Sequence, residues 1–270
     1  RMKKSTIILA LLLFINITVL ALLLFINITV TGQNIIGVLD YMKVDDQTEY
    51  LEVEKLWQKI HEVRLTEDAI IGRSVFKVMF KTDEDPYNFV TVSFYDSFSK
   101  LNKAIPDHTY KLAYPEKTED EWDALIKRRD ISRKVLSSSI FQQEIACSSR
   151  HLDSLGKIYV INEIRVKPRA SKEYVALNEE IYKPMYEEAI RNNTRTAWSL
   201  WAKWSGETEG HQYLSADGYI SLDQMEEVNY LEYFEKVHPD KDIDKISKKT
   251  KELRTLTNSE MWQLIYRILK

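Results

Sequence analysis

The sequence predicts an α+β protein made of two copies of a β-α-β-β-α-β unit, and three observations carry that prediction. Residues recur at a constant spacing: Tyr50 is answered by Tyr174, Tyr95 by Tyr219, Ser97 by Ser221, Phe98 by Leu222 and Pro115 by Pro239, each 124 positions on. Within each copy the apolar periodicity alternates between strand and helix values in the same order. The composition, 44% hydrophobic and 29% charged over 270 residues, is that of a folded chain long enough for two such units.

The first 32 residues stand apart. Arg1, Lys3 and Lys4 precede an apolar run from Ile7 to Val30 in which residues 9–19 are repeated unchanged as residues 20–30. One copy has the length of a secretory signal, with small residues before Gln33; two copies reach the roughly 20 residues that span a bilayer. Either way the basic end stays inside, so the body is expected to be exported, periplasmic or extracellular, touching the membrane only through residues 7–30. Without those three cations the body holds 35 basic against 41 acidic residues, which argues against nucleic acid as a partner.

The first unit, residues 33–147, opens with a β-branched strand at Ile35–Val44. From Thr48 the stripe Tyr50, Val53, Leu56, Trp57 and Ile60 marks an amphipathic helix with glutamates and lysines on its other side. Ala69–Lys81 and Tyr87–Tyr95 read as a hairpin about the turn Thr82–Pro86. A short helix or loop leads to Pro115, Thr118–Leu136 is helical, and Ser139–Ala146 is the fourth strand.

The order returns over residues 157–270. Lys157–Val166 is a strand, and Tyr174, Leu177, Ile181 and Met185 form the next helical stripe, with a kink or early end expected at Pro184. Thr194–Trp204 and His211–Ile220 are the second and third strands, Leu222–Val237 and Ile243–Leu253 are helical, and Ser259–Ile268 ends the unit. The basic run Lys245–Arg254 is read as a solvated helix face. This succession is the ferredoxin-like split βαβ arrangement.

Two such units, with a strand ending at Tyr95-Asp96-Ser97 and an aromatic-rich first helix, resemble the dimeric α+β barrel superfamily over nearly the whole body. The superfamily includes antibiotic-biosynthesis-monooxygenase-like, EthD-like, NIPSNAP-like and haem-degrading members. The resemblance implies two units pairing their sheets as a barrel within one chain, a pseudo-dimer, with room for a further homodimer.

Candidate site residues come from positions where the copies differ. Asp40 stands opposite Asn162 on the first strands, each a polar group on an otherwise apolar face that needs a hydrogen-bond partner. Tyr114-Pro115 matches His238-Pro239. In the haem-degrading members the characteristic set is an Asn on strand one, a Trp ending strand three and a His on the helix that follows. The second copy offers Asn162, Tyr219 and His238, with Tyr219 where Trp is expected, so His238 is the candidate metal ligand and haem the candidate cofactor. The first copy has Asp40, Tyr95 and Tyr114 there. Arg73 occupies the place of Trp198, pointing to an altered first-copy pocket that prefers an anion.

Other motifs carry less. Trp57 and His61 are neighbours on helix one that read as packing, His61-Glu62 lacks the second histidine of a zinc-protease helix, and His151 and His211 lack partner spacing. Lone Cys147 reads as a small hydrophobe, and no glycine-rich phosphate loop or G-x-S-x-G is present. Three functions follow as expectations: an exported protein binding an apolar or aromatic small molecule between sheet and helices, a monooxygenase sited at Asn162, Tyr219 and His238, or an envelope interaction protein.

Overall fold

The computed structural model describes residues 35–101, 104–149, 156–206 and 212–270. The expected leader, His151 and His211 lie outside these. Among the described residues no helix is long and apolar enough to cross a membrane.

One succession runs β1 (Ile36–Lys43), α1 (Gln47–Thr66), β2 (Gly72–Val78), β3 (Phe89–Tyr95), α2 (Asp107–Ala113), α3 (Glu119–Ser132) and β4 (Lys134–Ser148). The next runs β5 (Ile158–Val166), α4 (Ser171–Leu177), a π-helical turn at Asn178–Tyr182, α5 (Lys183–Arg191), β6 (Ala197–Ser205), β7 (Tyr213–Tyr219), α6 (Leu222–Glu226), α7 (Tyr230–Val237), α8 (Ile243–Leu253) and β8 (Arg254–Leu269). Local chemistry sets the helix starts: Asp46 caps α1 by accepting from the Glu49 amide, and Thr118 with Glu121 forms a capping box on α3.

The strands close into an eight-stranded barrel in the order β1-β3-β2-β8-β5-β7-β6-β4, every pairing antiparallel. Closure depends on β4 and β8. Expected as Ser139–Ala146 and Ser259–Ile268, they are 15 and 16 residues long, and each lies between its own unit's first strand and the other unit's second. The segment Lys134–Leu136, expected as the end of a helix, is strand, because α3 stops at Ser132 and Arg133 is extended. The expected helix Leu222–Val237 breaks in two, with Asn229 capping α7 through the Glu232 amide.

Alternate strand residues face two different cores. Leu39, Phe76, Val92, Tyr159, Ile161 and Trp262 meet inside the barrel. On the outer face of the first sheet Val53, Trp57 and Ile60 of α1 pack with Trp122 and Leu125 of α3. On the outer face of the second, Ile164, Trp198 and Leu200 meet Tyr174, Ile181, Met185 and Phe234. Pro184 sits in the first turn of α5 directly after the π turn. A proline cannot donate to the preceding turn, and the wider turn accommodates the missing bond without ending the helix.

Trp57 and His61 are buried, as packing residues would be. Arg64 donates to His61 Nδ1 at 3.2 Å, which requires a neutral acceptor ring. Burial, then the charges of Arg73, Arg64, Arg133 and Arg129, hold the His61 pKa well below the usual histidine value. Below about pH 6.5 the unfolded chain therefore takes up a proton that the native state refuses, so stability falls with decreasing pH, by about 1.4 kcal/mol per unit once that difference is complete. His61→Gln should remove this slope in urea titrations from pH 7 to 5; an unchanged slope would show that the ring protonates in the fold.

A polar network and an aromatic-walled cavity in the second unit

Asn162 points from β5 toward the helices, and its partners come from the neighbouring strands. Its amide donates to Ser215 Oγ at 3.2 Å and Asp217 Oδ2 at 3.0 Å, while Ser259 Oγ donates to its carbonyl at 2.9 Å. Asp217 is ion-paired with Arg195, both buried. Arg195 also donates to the Tyr219 hydroxyl at 2.9 Å and to that of Tyr230, and lies 4.2 Å from the centroid of the Tyr186 ring. Burial pushes the Asp217 carboxyl up against the opposing pull of Arg195 and Asn162, and burial likewise pushes the Tyr219 phenol up. Burial opposes the charge on Arg195, and Asp217 with the three tyrosines outweighs it and holds the guanidinium in its charged form. Tyr230 is 43% exposed, so the network reaches solvent at that ring.

Beside the network lies a cavity of about 40 Å³ walled by Tyr174, Tyr182, Tyr186 and Trp198, with Ser215 and Arg254 on its lining. Tyr182, Thr250 and Arg254 also line an outer groove of about 390 Å³. The Tyr182 hydroxyl and Thr250 Oγ1 are 2.6 Å apart, a hydrogen bond in the wall common to both spaces. Tyr182 closes the π turn, an irregularity often found at functional sites. Arg254 is half-buried, no side-chain hydrogen bond or ion pair holds it among the described residues, and its Nε is buried without a partner.

The structure brings Asn162 and Tyr219 together through Asp217 and Arg195. His238 is elsewhere: buried at the end of α7, its Nε2 lies 2.9 Å from the Ile181 carbonyl oxygen and its ring packs on Phe234. Among the expected ligand-binding residues, Trp198 lines the cavity, its ring tilted against that of Tyr186 with centroids 4.7 Å apart. Arg73 pairs with Ser93 across β2 and β3 as Trp198 pairs with Asp217 across β6 and β7, but it is held by Glu54 at 3.7 Å and Ser93 at 2.9 Å. Asp40 accepts from Ser138 at 2.5 Å, Tyr95 packs with Ile36 and Ile70, and Tyr114 donates to the Leu56 carbonyl at 2.8 Å. Cys147 is half-buried, its thiol pushed up to about 12 by burial.

Arg195, Asp217, Tyr230 and Arg254 did not stand out in the sequence. Asp217 carried a signal, since the residue 124 positions earlier is Ser93. Among the described residues no group of three His, Cys, Asp or Glu is placed to hold a metal ion. The residues present do not fit a haem in this arrangement: a pocket for a ligand of drug size or more is roughly 300–1,000 Å³, against about 40 Å³ here, and His238 Nε2 is engaged.

No protein-family model matches the chain, and no curated protein matches its sequence. Among solved structures, a candidate monooxygenase from Fusobacterium nucleatum subsp. nucleatum is similar at a TM-score of 0.53 and 16% identity, over 89% of this chain and 96% of that one. A candidate monooxygenase from Lactobacillus acidophilus is similar at a TM-score of 0.52 and 7% identity, over 87% and 96%. The likeness shows a shared fold, mixed α+β with a strand barrel. Here the whole eight-stranded barrel closes within one chain, and the polar network and aromatic cavity lie on the outer face of its second sheet.

Proposed function

We propose that this barrel is a small-molecule-binding protein that takes an aromatic anion between the second sheet and its helices. The observation that carries the reading is Arg254, whose buried Nε has no partner, in the wall of a cavity that Tyr174, Tyr182, Tyr186 and Trp198 also line. A ligand seated in the outer groove of about 390 Å³ would stack on Tyr182 and set its anionic group on Arg254, since both residues line the groove as well as the cavity. Benzoate is the first probe, with benzyl alcohol as the neutral control, read by tryptophan fluorescence. Arg254→Gln is expected to weaken benzoate at least about tenfold, the scale of one charge-assisted hydrogen bond, and to leave benzyl alcohol unchanged. Equal loss of both, or no loss of either, would overturn the assignment.

Oxygenation of the bound molecule is the second reading, favoured by the two candidate monooxygenases of like fold and by the linkage of Asn162 and Tyr219 through Arg195 and Asp217. In it Asn162 and Tyr219 orient the substrate. Oxygen uptake with a dihydroxynaphthalene, abolished in Asn162→Ala, would support it. Haem on His238 would require the ring to leave the Ile181 carbonyl and the aromatic wall to part. We expect hemin to give no Soret change that depends on His238, and His238→Ala to cost about 1–2 kcal/mol through that lost hydrogen bond, seen in urea unfolding. A saturable Soret shift lost in the variant would reverse this reading.

The recurrence at 124 positions supports a tandem duplication as the origin of the two units. Export directed by residues 1–32 belongs to the same proposal. Fractionation with amino-terminal sequencing of the mature chain tests it, and a cytoplasmic chain that keeps residues 1–32 would exclude it.

A further inference from the structure

The barrel interior holds a separate cavity of about 110 Å³ whose walls are almost wholly apolar, among them Leu39, Phe76, Val92, Phe141 and Trp262. Arg267 is the one charged residue on its lining. A guanidinium inside an otherwise hydrocarbon-lined barrel needs a reason, and the strand supplies a specific one. On β8, Trp262 and Leu264 face inward, and an unbroken alternation would turn Arg267 out toward the helices. The pairing with β2 slips between Val75 and Phe76, which stand opposite Tyr266 and Leu264, so Ile265 is an extra residue in β8. That bulge restores Arg267 to the inner face; re-aiming a side chain is what bulges beside binding sites do.

The side chain is held but not neutralised. Its Nε donates to Ser74 Oγ at 3.1 Å and one terminal nitrogen to the Tyr159 hydroxyl at 2.7 Å, and the guanidinium lies 5.2 Å from the Tyr159 ring. All of these partners are uncharged, and among the described residues no carboxylate is ion-paired with it. The positive charge and the donors of the other terminal nitrogen are left for something else. None of the residues lining this cavity lines the aromatic cavity of the second unit, since the two lie on opposite faces of the same strands.

We infer that the barrel interior is a second binding site, taking the alkyl chain of a short aliphatic monocarboxylate with its carboxylate on Arg267. One negative charge matches the single cation, and hydrocarbon matches the walls. A cavity of about 150 Å³ accommodates the six carbons of benzene, so the present space of about 110 Å³ suits an alkyl chain of about four carbons. A dicarboxylate would bury a second charge against hydrocarbon, and acetate would leave the cavity unfilled.

Pentanoate is the probe, followed by calorimetry and by the fluorescence of Trp201 and Trp262 in the purified chain, with pentan-1-ol, acetate and glutarate as controls. Two variants separate charge from space. Arg267→Gln keeps a donor at the Nε position for Ser74 and removes the charge. Gly37→Val fills the cavity: a Cβ at Gly37 meets Trp201 at 3.4 Å, Leu39 at 3.6 Å and Val92 at 3.7 Å, close to ordinary packing distance. The expected result is saturable pentanoate binding, at least about tenfold weaker in Arg267→Gln and absent in Gly37→Val, with unfolding midpoints at or above the parent's and pentan-1-ol indifferent to Arg267→Gln. Arg254→Gln should leave pentanoate binding intact, which keeps this site distinct from the aromatic one. No saturable binding of pentanoate, or binding that neither Arg267→Gln nor Gly37→Val alters, would overturn the inference.

Discussion

Arg195→Ala is expected to destabilise the protein by roughly 3–5 kcal/mol, as breaking a buried ion pair from one side does. The magnitude follows from what remains. Asp217 is 6% exposed and would keep only the Asn162 amide, at 3.0 Å, as a side-chain partner, while the hydroxyls of Tyr219 and Tyr230 would lose the donor they share. The Tyr186 ring would also lose the cation packed 4.2 Å from its centroid. Arg195→Met with Asp217→Leu should recover most of the loss, because a hydrophobic replacement of both partners removes the desolvated charge as well as the pair. Chemical denaturation of the parent, the single variant and the double variant closes the comparison. If Arg195→Ala loses less than about 1 kcal/mol, the value of an exposed pair, water reaches Asp217 and the network is not sealed.

The first strands were legible because short runs dense in β-branched and apolar residues favour strand: expected as Ile35–Val44 and Lys157–Val166, they are Ile36–Lys43 and Ile158–Val166. The helix-one stripe was equally plain, with Tyr50, Val53, Trp57 and Ile60 all buried. The full reach of β4 and β8 was hidden, because their added residues are held by backbone hydrogen bonds and leave side chains in solvent. Lys134, Val135 and Leu136 are exposed, and so are Thr255–Ser259, so neither segment carries an alternation to read. For the site, Asn162 and Tyr219 were found by comparing the copies, but the pair that joins them depends on strand register. Arg195 precedes β6 and Asp217 lies in β7, and nothing in either segment announces that one will meet the other. Arg267 was hidden for a related reason, since its facing is decided by one extra residue in a ladder that sequence periodicity treats as regular.

Glu54→Ala is the second large effect, again roughly 3–5 kcal/mol, and it bears on why the first unit is built differently. Glu54 is 1% exposed on α1, between Arg73 at 3.7 Å and Arg133, and Tyr266 donates to it at 2.8 Å. One carboxylate thus serves two arginines, of which Arg73 is itself buried and also donates to Ser93 at 2.9 Å. Removing Glu54 leaves like charges in a space where the second unit has the uncharged ring of Trp198. Arg73 is therefore answered by an internal carboxylate, and the anion that the sequence led us to expect there is supplied by the chain itself. Glu54→Gln should lose less than Glu54→Ala, since it keeps an acceptor for Tyr266, and Glu54→Leu with Arg73→Met should recover much of the loss despite removing more polar contacts. If the double variant is no more stable than Glu54→Ala, Arg133 and not Arg73 is the charge that Glu54 holds in place.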